Sequence, residues 1–289
     1  MTTYAITGAT GGLGGAAVTA LIARGVSPAD VVAVVRDADK ADALRDQGVT
    51  IRVADYEDPA ALRTALAGVD RLLLVSSSAV GQRIAQHRNV IEAATTAGVD
   101  LIAYTSILKA DSSPLALATE HIETEKLLNA GSVPAVLLRN GWYSENYAPG
   151  APAAVESGVL YGSAGEGKVA PAPRAEYAAA AAAALVDASG GEVYELAGNE
   201  HLTYADIAAV IAEVSGKPVR YQDIPEADLA AALAGAGIPE PMAKILADSD
   251  AGVAKGALDS DSTALSTLIG HPTTPLTEVI APVLATTRA

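Results

Sequence analysis

Residues 7–14 read Thr7-Gly8-Ala9-Thr10-Gly11-Gly12-Leu13-Gly14, between an apolar run at 4–6 and a helical pattern that begins near Val18. This order predicts a short strand, a glycine turn and the start of a helix. Glycine permits the sharp turn, and the free amides that open the helix carry positive partial charge that suits a pyrophosphate. The spacing Gly-x-x-Gly-x-x-Gly differs from the Gly-x-Gly-x-x-Gly that is usual in dinucleotide-binding folds. The prediction of a dinucleotide site therefore depends on the strand and the helix that flank the turn. A glycine-rich turn that binds nothing is the alternative.

The same alternation of strand and helix continues through the first half of the chain. Short β-branched or leucine-rich runs recur at 31–35, 51–54, 72–76, 101–105 and 136–138. Segments with helical periodicity separate them at 12–24, 38–47, 59–67, 80–97 and 114–129. We expect left-handed glycines to end these helices at Gly25, Gly48, Gly68, Gly98 and Gly131. Apolar strands joined by helices predict an α/β fold with a doubly wound parallel sheet of the Rossmann type.

The pattern changes after Gly141, where turns rich in proline and glycine appear. An alanine-rich helix at 174–186, a strand at 193–196 and a helix that begins near Thr203, with Asp206 completing a capping box, follow. We therefore expect a dinucleotide-binding Rossmann domain over 1–141 and a smaller, mainly helical substrate lobe over 142–289. The two are partly interleaved, because 193–196 is expected to add a strand to the main sheet.

The composition argues against several classes of function. A formal net charge of −15 at pH 7 argues against a nucleic-acid surface. The chain has no cysteine, which excludes thiolate catalysis, and its four histidines lack the spacing of a zinc site, so no metal is expected. The longest apolar run, 178–186, is far shorter than the roughly 20 residues that cross a bilayer, and we expect no signal peptide before Tyr4. We expect a cytoplasmic protein without membrane insertion; whether it forms a homodimer stays open.

The second predicted strand ends at Arg36, where many dinucleotide sites place a carboxylate against the ribose. A guanidinium can hold a 2′-phosphate through two hydrogen bonds, so Arg36 favours NADPH, with Lys40 as support. An ion pair between Arg36 and Asp37 or Asp39 is the alternative.

Polar residues also follow the third and fourth strands. Asp55 stands where a carboxylate could accept a hydrogen bond from adenine, although helix capping near Asp58 explains the acidic cluster equally well. The small side chains and amides of Ser76, Ser77 and Ser78 could line the ribose and nicotinamide, and ordinary turn chemistry explains them as well.

Aromatic residues follow the fifth and sixth strands. Tyr104 ends the fifth, and the sixth is followed by Gly141-Trp142-Tyr143-Ser144-Glu145-Asn146, which contains the only tryptophan. This segment stands where a nicotinamide and a flat substrate would meet. Trp142 either contacts the ligand or packs the two lobes together.

Several stretches together carry a family resemblance: 7–14, 76–83, 86–89, 103–106, 121–126, 194–198, 246–250 and, most specifically, Leu138-Arg139-Asn140-Gly141-Trp142-Tyr143-Ser144-Glu145-Asn146-Tyr147. On these stretches the chain resembles the NmrA-like group of atypical short-chain dehydrogenases/reductases and, within it, the bacterial NAD(P)H:quinone oxidoreductase 2 family. The resemblance implies a Rossmann lobe that binds NADPH, a smaller lobe over it, and two-electron reduction of quinones without a flavin. Some members of the group only sense the dinucleotide, so a regulatory protein without turnover is the alternative.

The resemblance also implies cofactor contacts. They fall on Gly8, Ala9, Thr10, Gly11, Gly12, Leu13, Arg36, Ser76, Ser77, Ser78, Gly141, Trp142, Tyr143, Ser144, Glu145 and Asn146.

The Tyr-x-x-x-Lys pair of alcohol-oxidising short-chain dehydrogenases is missing, since none of the ten tyrosines has lysine four residues later. A quinone is a strong hydride acceptor whose reduced anion can take protons from water, so positioning can suffice. We expect Tyr104 and Tyr143 to act as hydrogen-bond donors or stacking partners at the reacting centre.

Two helical segments offer further polar residues. His87 is expected to be an ordinary packed histidine, and His121 lies nearer the expected site. The polar run at 120–126 is expected to form Glu-Lys pairs on a solvent-facing surface.

Overall fold

A seven-stranded sheet runs through the computed structural model, which describes residues 1–286. The strands in chain order are β1 Tyr4–Thr7, β2 Val31–Val35, β3 Thr50–Val53, β4 Arg71–Leu74, β5 Leu101–Ile107, β6 Ala135–Asn140, β7 Val159–Gly162, β8 Lys168–Val169, β9 Val193–Leu196, β10 Leu202–Thr203 and β11 Arg220–Asp223. The large sheet has the order β3-β2-β1-β4-β5-β6-β9, and each neighbouring pair is parallel. The predicted doubly wound sheet is confirmed.

Helices connect these strands and cover the sheet. They are α1 Gly12–Ala23, α2 Asp42–Arg45, α3 Pro59–Ala65, α4 Arg83–Ala97, α5 Ala118–Ala130, α6 Ala151–Ser157, α7 Arg174–Asp187, α8 Tyr204–Ser215, α9 Glu226–Gly235, α10 Glu240–Val253, α11 Ala264–Ile269 and α12 Leu276–Thr286. The last three residues of the predicted C-terminal lobe, 287–289, lie outside the described part.

The sheet is buried on both faces. All five residues of β2 and all seven of β5 are buried, as a parallel sheet covered by helices on each side requires. Helices α1, α7 and α11 pack on one face, and α3, α4 and α5 pack on the other. The alanine run of α7 lies directly against α1, because alanine and glycine side chains let two helix backbones approach closely. The expectation that this run is a packed helix is confirmed.

The second half of the chain contributes to the sheet as well. β9 pairs with β6 at the sheet edge, as the sequence predicted. Two small two-stranded sheets, β7 with β11 and β8 with β10, lie among helices α6, α8 and α12 in a separate hydrophobic cluster. The predicted capping box of α8 is present, since the Thr203 side chain accepts from the Asp206 amide and the Asp206 carboxylate accepts from the Thr203 amide.

Two local predictions were wrong. The helix expected at 38–47 is a 3-10 turn, Ala38–Lys40, followed by the short α2, because the Asp37 side chain caps the Asp39 amide and Ala41 leaves the helical conformation. Gly131 was expected to be left-handed, yet its φ of −77° and ψ of 172° are extended, since the chain leads directly into Pro134 and β6. The other four predicted caps, including Gly98 at φ 73°, are left-handed.

Within residues 1–286, the longest helices are too short and too polar to cross a bilayer.

Candidate functional site

A cavity of about 430 Å³ opens at the carboxyl ends of β1, β2, β3 and β4. Ten residues of the predicted cofactor site line it: Gly8, Thr10, Gly11, Gly12, Leu13, Arg36, Asp55, Ser76, Ser77 and Ser78. Lys40, predicted to support Arg36, also lines it, and the other lining residues are Gly14, Val34, Ala54, Tyr56, Val75, Ala79 and Gln86. Ala9 does not line the cavity and packs in the hydrophobic core, so its cofactor contact stays a prediction.

The glycine turn closes tightly at the mouth of α1. Gly8 has a φ of +60°, and its carbonyl accepts from the Gly11 amide at 2.9 Å. A side chain on Gly14 would come within 2.8 Å of the Gly8 carbonyl carbon. No side chain of the described chain caps α1, so the amides of its first turn are left for a ligand in the cavity.

Tyr56 forms the floor beneath the turn. Its hydroxyl lies 2.5 Å from Thr7 Oγ1 and 2.7 Å from the Val75 carbonyl oxygen, which links the ends of β1 and β4. Burial raises the pKa of the Tyr56 hydroxyl, so it stays protonated. Sequence reasoning missed this residue, although its place directly after Asp55 at a strand end was the available signal.

Arg36 and Lys40 supply the positive charge at the end of β2. Lys40 lies 3.7 Å from Asp37, whose other oxygen accepts from the Asp39 amide. Arg36 is exposed and forms no ion pair with any residue of the 1–286 range, so the predicted alternative pairing with Asp37 or Asp39 is not formed. The guanidinium is therefore available to an anion in the cavity.

The two aspartates that follow β3, Asp55 and Asp58, have different roles. Asp58 caps α3 by accepting from the Ala60 and Ala61 amides, both at 3.0 Å. The Asp55 carboxylate accepts from the Glu57 amide at 2.9 Å, and Asp55 lines the cavity. Capping therefore accounts for Asp58 and leaves Asp55 facing the site.

A buried histidine holds the serine loop after β4. The Ser77 amide donates to His87 Nε2 at 2.9 Å, and His87 Nδ1 lies 2.9 Å from Thr124 Oγ1. Since the Thr124 hydroxyl donates to the Glu120 carbonyl, we assign the neutral tautomer with the proton on Nδ1. Burial and then the nearby Arg83 lower the pKa of His87 to about 3. The expectation of a packed histidine is confirmed.

Tyr104 lies behind the serine loop and does not face the cavity. Its side chain is fully buried, and its hydroxyl lies 2.7 Å from His121 Nδ1. Arg83 Nη1 lies 3.3 Å from His121 Nε2, which must accept, so His121 donates to the tyrosine oxygen from Nδ1. In this structure Tyr104 cannot contact a substrate directly, contrary to the sequence expectation, because alternation along β5 turns its ring toward α4 and α5.

These histidines predict loss of stability in acid. Burial lowers the pKa of both His87 and His121 from 6.5 to about 3, so their contribution is complete above pH 6.5 and is lost as the pH falls toward 3. When the pH is lowered from about 7.5 to about 5, we expect each of the two histidines to lower the free energy of unfolding by roughly 2 kcal/mol. Urea denaturation at the two pH values measures the change.

Asp250 opposes this trend and provides the control. Burial raises its pKa from 3.8 to about 6, so its contribution is present below 3.8 and is lost as the pH rises through 6. In Asp250→Asn, the free energy of unfolding should therefore fall by roughly 1 kcal/mol more than in the wild type over the same decrease in pH. An equal free energy of unfolding at the two pH values would contradict the conclusion that the histidines are buried in the neutral form.

The segment after β6 is fixed by backbone hydrogen bonds to the second half of the chain. The Gly141 amide donates to the Leu196 carbonyl at 2.8 Å, and the Ser144 amide donates to the Ala172 carbonyl at 2.9 Å. The Glu145 carboxylate accepts from the Arg174 amide with both oxygens at 3.0 Å.

The side chains of this segment lie outside the cavity lining. Trp142 packs against the hydrophobic cluster of the second half, which is the packing role that the sequence left open. The Tyr143 ring contacts the Tyr177 ring edge-on, with 5.2 Å between the ring centres. The Arg174 guanidinium lies 4.8 Å above the centre of the Tyr143 ring. Asn146 is exposed at the end of the segment. Cofactor contact by Gly141 to Asn146 remains a prediction.

Several buried polar atoms around this segment have no partner within residues 1–286. They are Asn140 Oδ1, Ser144 Oγ, Tyr147 Oη and Glu176 Oε2. Buried polar groups are costly unless they are hydrogen-bonded. The unpaired Asn140 and Ser144 oxygens flank Tyr143, so this segment can offer hydrogen bonds to a bound ligand.

The polar run at 120–126 was only partly interpreted correctly. Lys126 and Glu123 form the expected exposed pair at 2.8 Å. Glu125 instead points inward, where Arg139 on β6 donates to both of its oxygens at 3.0 and 2.7 Å. Arg139 also donates to Glu195 on β9 at 2.8 Å. These charges join α5, β6 and β9 beneath the site.

No group of three or more histidine or carboxylate side chains in the described residues is placed to hold a metal ion.

Comparison with known proteins identifies relatives of this chain. The model of the NmrA-like family matches residues 2–267. The chain is 57% identical over 278 residues to Quinone oxidoreductase 2 of Escherichia coli (strain K12), over 96% of this chain and 97% of that protein. The crystal structure of an NADPH-dependent quinone oxidoreductase from E. coli complexed with NADPH gives a TM-score of 0.94 at 56% identity, covering 97% of this chain and 99% of that one. Citrobacter sp. triphenylmethane reductase complexed with NADP(H) gives 0.93 at 38% identity, covering 97% and 100%.

Proposed function

Because this chain belongs to the NmrA-like family, we propose that it is an NAD(P)H:quinone oxidoreductase that uses NADPH to reduce quinones by two electrons. One observation carries the proposal: the glycine turn and Arg36 line one cavity, in a chain closely similar to an NADPH-dependent quinone reductase. The free amides of α1 suit the pyrophosphate, and the unpaired Arg36 suits the 2′-phosphate.

The proposed orientation of the dinucleotide follows from these two groups. With the 2′-phosphate at Arg36 and the pyrophosphate at α1, the adenine lies on the side of Asp55 and the nicotinamide extends past Ser76, Ser77 and Ser78. The nicotinamide end then reaches Asn140 and Tyr143, where the unpaired Asn140 oxygen can accept from a carboxamide.

We propose that reduction occurs by direct hydride transfer without a flavin. NADPH supplies the hydride when it is bound. The chain contributes binding and orientation, and its buried groups are poor acids, because burial raises the pKa of both Tyr104 and Tyr143. Protons for the reduced quinone are expected to come from water.

Anaerobic stopped-flow mixing of purified protein, NADPH and benzoquinone tests this proposal. We expect nicotinamide oxidation well above the uncatalysed rate in protein whose visible spectrum shows no flavin. Activity should survive both Tyr104→Phe and Tyr143→Phe, and its complete loss in a folded Tyr143→Phe variant would contradict transfer without an acid. NADPH binding with no acceleration for any quinone would favour the NADP(H)-sensing alternative.

Arg36→Ala should reveal the 2′-phosphate contact. Losing charge-assisted hydrogen bonds worth about 1.5–3 kcal/mol should weaken NADPH binding by roughly tenfold to a hundredfold. NADH, which lacks the 2′-phosphate, should be affected little. Isothermal titration with both dinucleotides measures the difference. Arg45→Ala, which removes an exposed charge paired with Asp42, is the control, and equal losses for NADPH and NADH would contradict the assignment.

A second candidate activity is reduction of cationic triphenylmethane dyes. The net charge of −15 attracts cationic substrates, and a hydride converts such a cation to a neutral product without a proton donor. Decolorisation of a triphenylmethane dye by NADPH in the presence of the protein tests it.

We also propose that this reaction takes place in the cytoplasm. Cell fractionation with an antibody to the protein tests the location.

A further inference from the structure

The Arg174 side chain connects the glycine turn to the segment after β6. A Cβ placed on Gly12 would lie 3.2 Å from Arg174 Cδ and 3.3 Å from Nη1, so the arginine lies directly on the turn. The same guanidinium is 4.8 Å above the Tyr143 ring. Arg174 therefore lies against both Gly12, which lines the cavity, and the Tyr143 ring.

The Arg174 guanidinium lies beside positive partial charge and stacks on the Tyr143 ring. Arg174 lies over the first residues of α1, whose free amides carry positive partial charge, and is itself the first residue of α7. No carboxylate within the 1–286 range forms an ion pair with it. Glu145 accepts from its backbone amide instead, which fixes the start of α7 and leaves the guanidinium unneutralised.

We propose that Arg174 is a positioning residue that closes over the cofactor pyrophosphate. Its guanidinium would donate to the phosphate oxygens from the side opposite the α1 amides. Because the same group stacks on Tyr143, phosphate binding would fix the aromatic segment at the nicotinamide end. This inference rests on the proposed function, since it requires NADPH in the cavity. It adds a contact from the second half of the chain to a cavity whose lining residues all come from the first half.

The experiment compares three probes that carry different phosphates. NADPH contains the pyrophosphate and the 2′-phosphate, NADH contains only the pyrophosphate, and adenosine 2′-monophosphate contains only the 2′-phosphate. Arg174→Ala should weaken NADPH and NADH by about tenfold each and leave adenosine 2′-monophosphate unchanged. Arg36→Ala should weaken the binding of NADPH and adenosine 2′-monophosphate and leave the binding of NADH unchanged.

Two further variants separate charge from packing. Arg174→Lys should recover part of the NADPH affinity, because the positive charge remains while the planar fork is lost. Arg220→Ala removes an exposed charge on β11 and should leave all three affinities unchanged. Thermal unfolding of each variant verifies that the fold is retained.

Unchanged NADPH affinity in Arg174→Ala would overturn the inference while the proposed function stood. Equal weakening of all three probes would also overturn it, since only a general structural role affects adenosine 2′-monophosphate. Failure of the wild-type protein to bind NADPH would overturn the proposed function and this inference together.

Discussion

Gly14→Ala is expected to weaken NADPH binding on the order of 100-fold. The added methyl would meet backbone atoms of Gly8 and Ala9, at 2.8 Å from the Gly8 carbonyl carbon and 2.9 Å from the Ala9 Cα. Backbone atoms cannot rotate away as a side chain can, so the turn must open and the α1 amides must leave their common direction. Isothermal titration with NADPH measures the loss.

Gly12→Ala provides the matched control within the same turn. Its methyl would meet only the Arg174 side chain, which can move, so we expect less than about a tenfold loss. Circular dichroism should show that both variants are folded. NADPH affinity in Gly14→Ala close to that of the wild type would show that the amides at this helix mouth do not hold the phosphates.

Arg139→Met is expected to lower the free energy of unfolding by about 3–5 kcal/mol. The substitution preserves much of the side-chain volume but leaves Glu125, which is only 6% exposed, without its cation. An uncompensated buried charge is costly, and the Glu195 contact between β6 and β9 is lost as well. Urea denaturation near neutral pH measures the change.

Lys126→Met is the control for this prediction. It removes the partner of Glu123 in an exposed pair of the same helix, where an ion pair contributes about 0–1 kcal/mol. Replacing Glu125 by Leu together with Arg139→Met should recover much of the loss, because an apolar pair needs no desolvated charge. A cost below about 1 kcal/mol for Arg139→Met alone would show that water already screens the Glu125 carboxylate.

Local sequence signals were sufficient for the fold and for most of the cavity. The glycine turn, the alternation of apolar strands with helices, and the polar residues directly after each strand are all short-range features. Because parallel strands place their carboxyl ends at one edge, Arg36, Asp55 and Ser77 were predicted to meet there, and they do. Even β9, far along the chain, was recognisable from its own apolar pattern.

The errors around the candidate site concern which way a side chain faces. A strand covered by helices on both sides is apolar throughout, so the pattern of β5 does not tell which helices Tyr104 contacts. Glu125 reads as part of a solvent-facing run because its partner, Arg139, lies on another element. Arg174 reaches Gly12 only through the packing of α7 on α1, which no local pattern predicts.

The position of β9 has a consequence for biosynthesis. Until the ribosome has released Leu196, the sheet has an open hydrogen-bonding edge at β6 in addition to the one at β3, and the α7 helix that shields one face emerges only shortly before that. Nascent chains that stop near residue 141 would thus display an unpaired apolar ribbon that favours self-association. Because β9 completes the sheet, we expect that transferring residues 1–141 alone to another protein would leave this sheet one strand short.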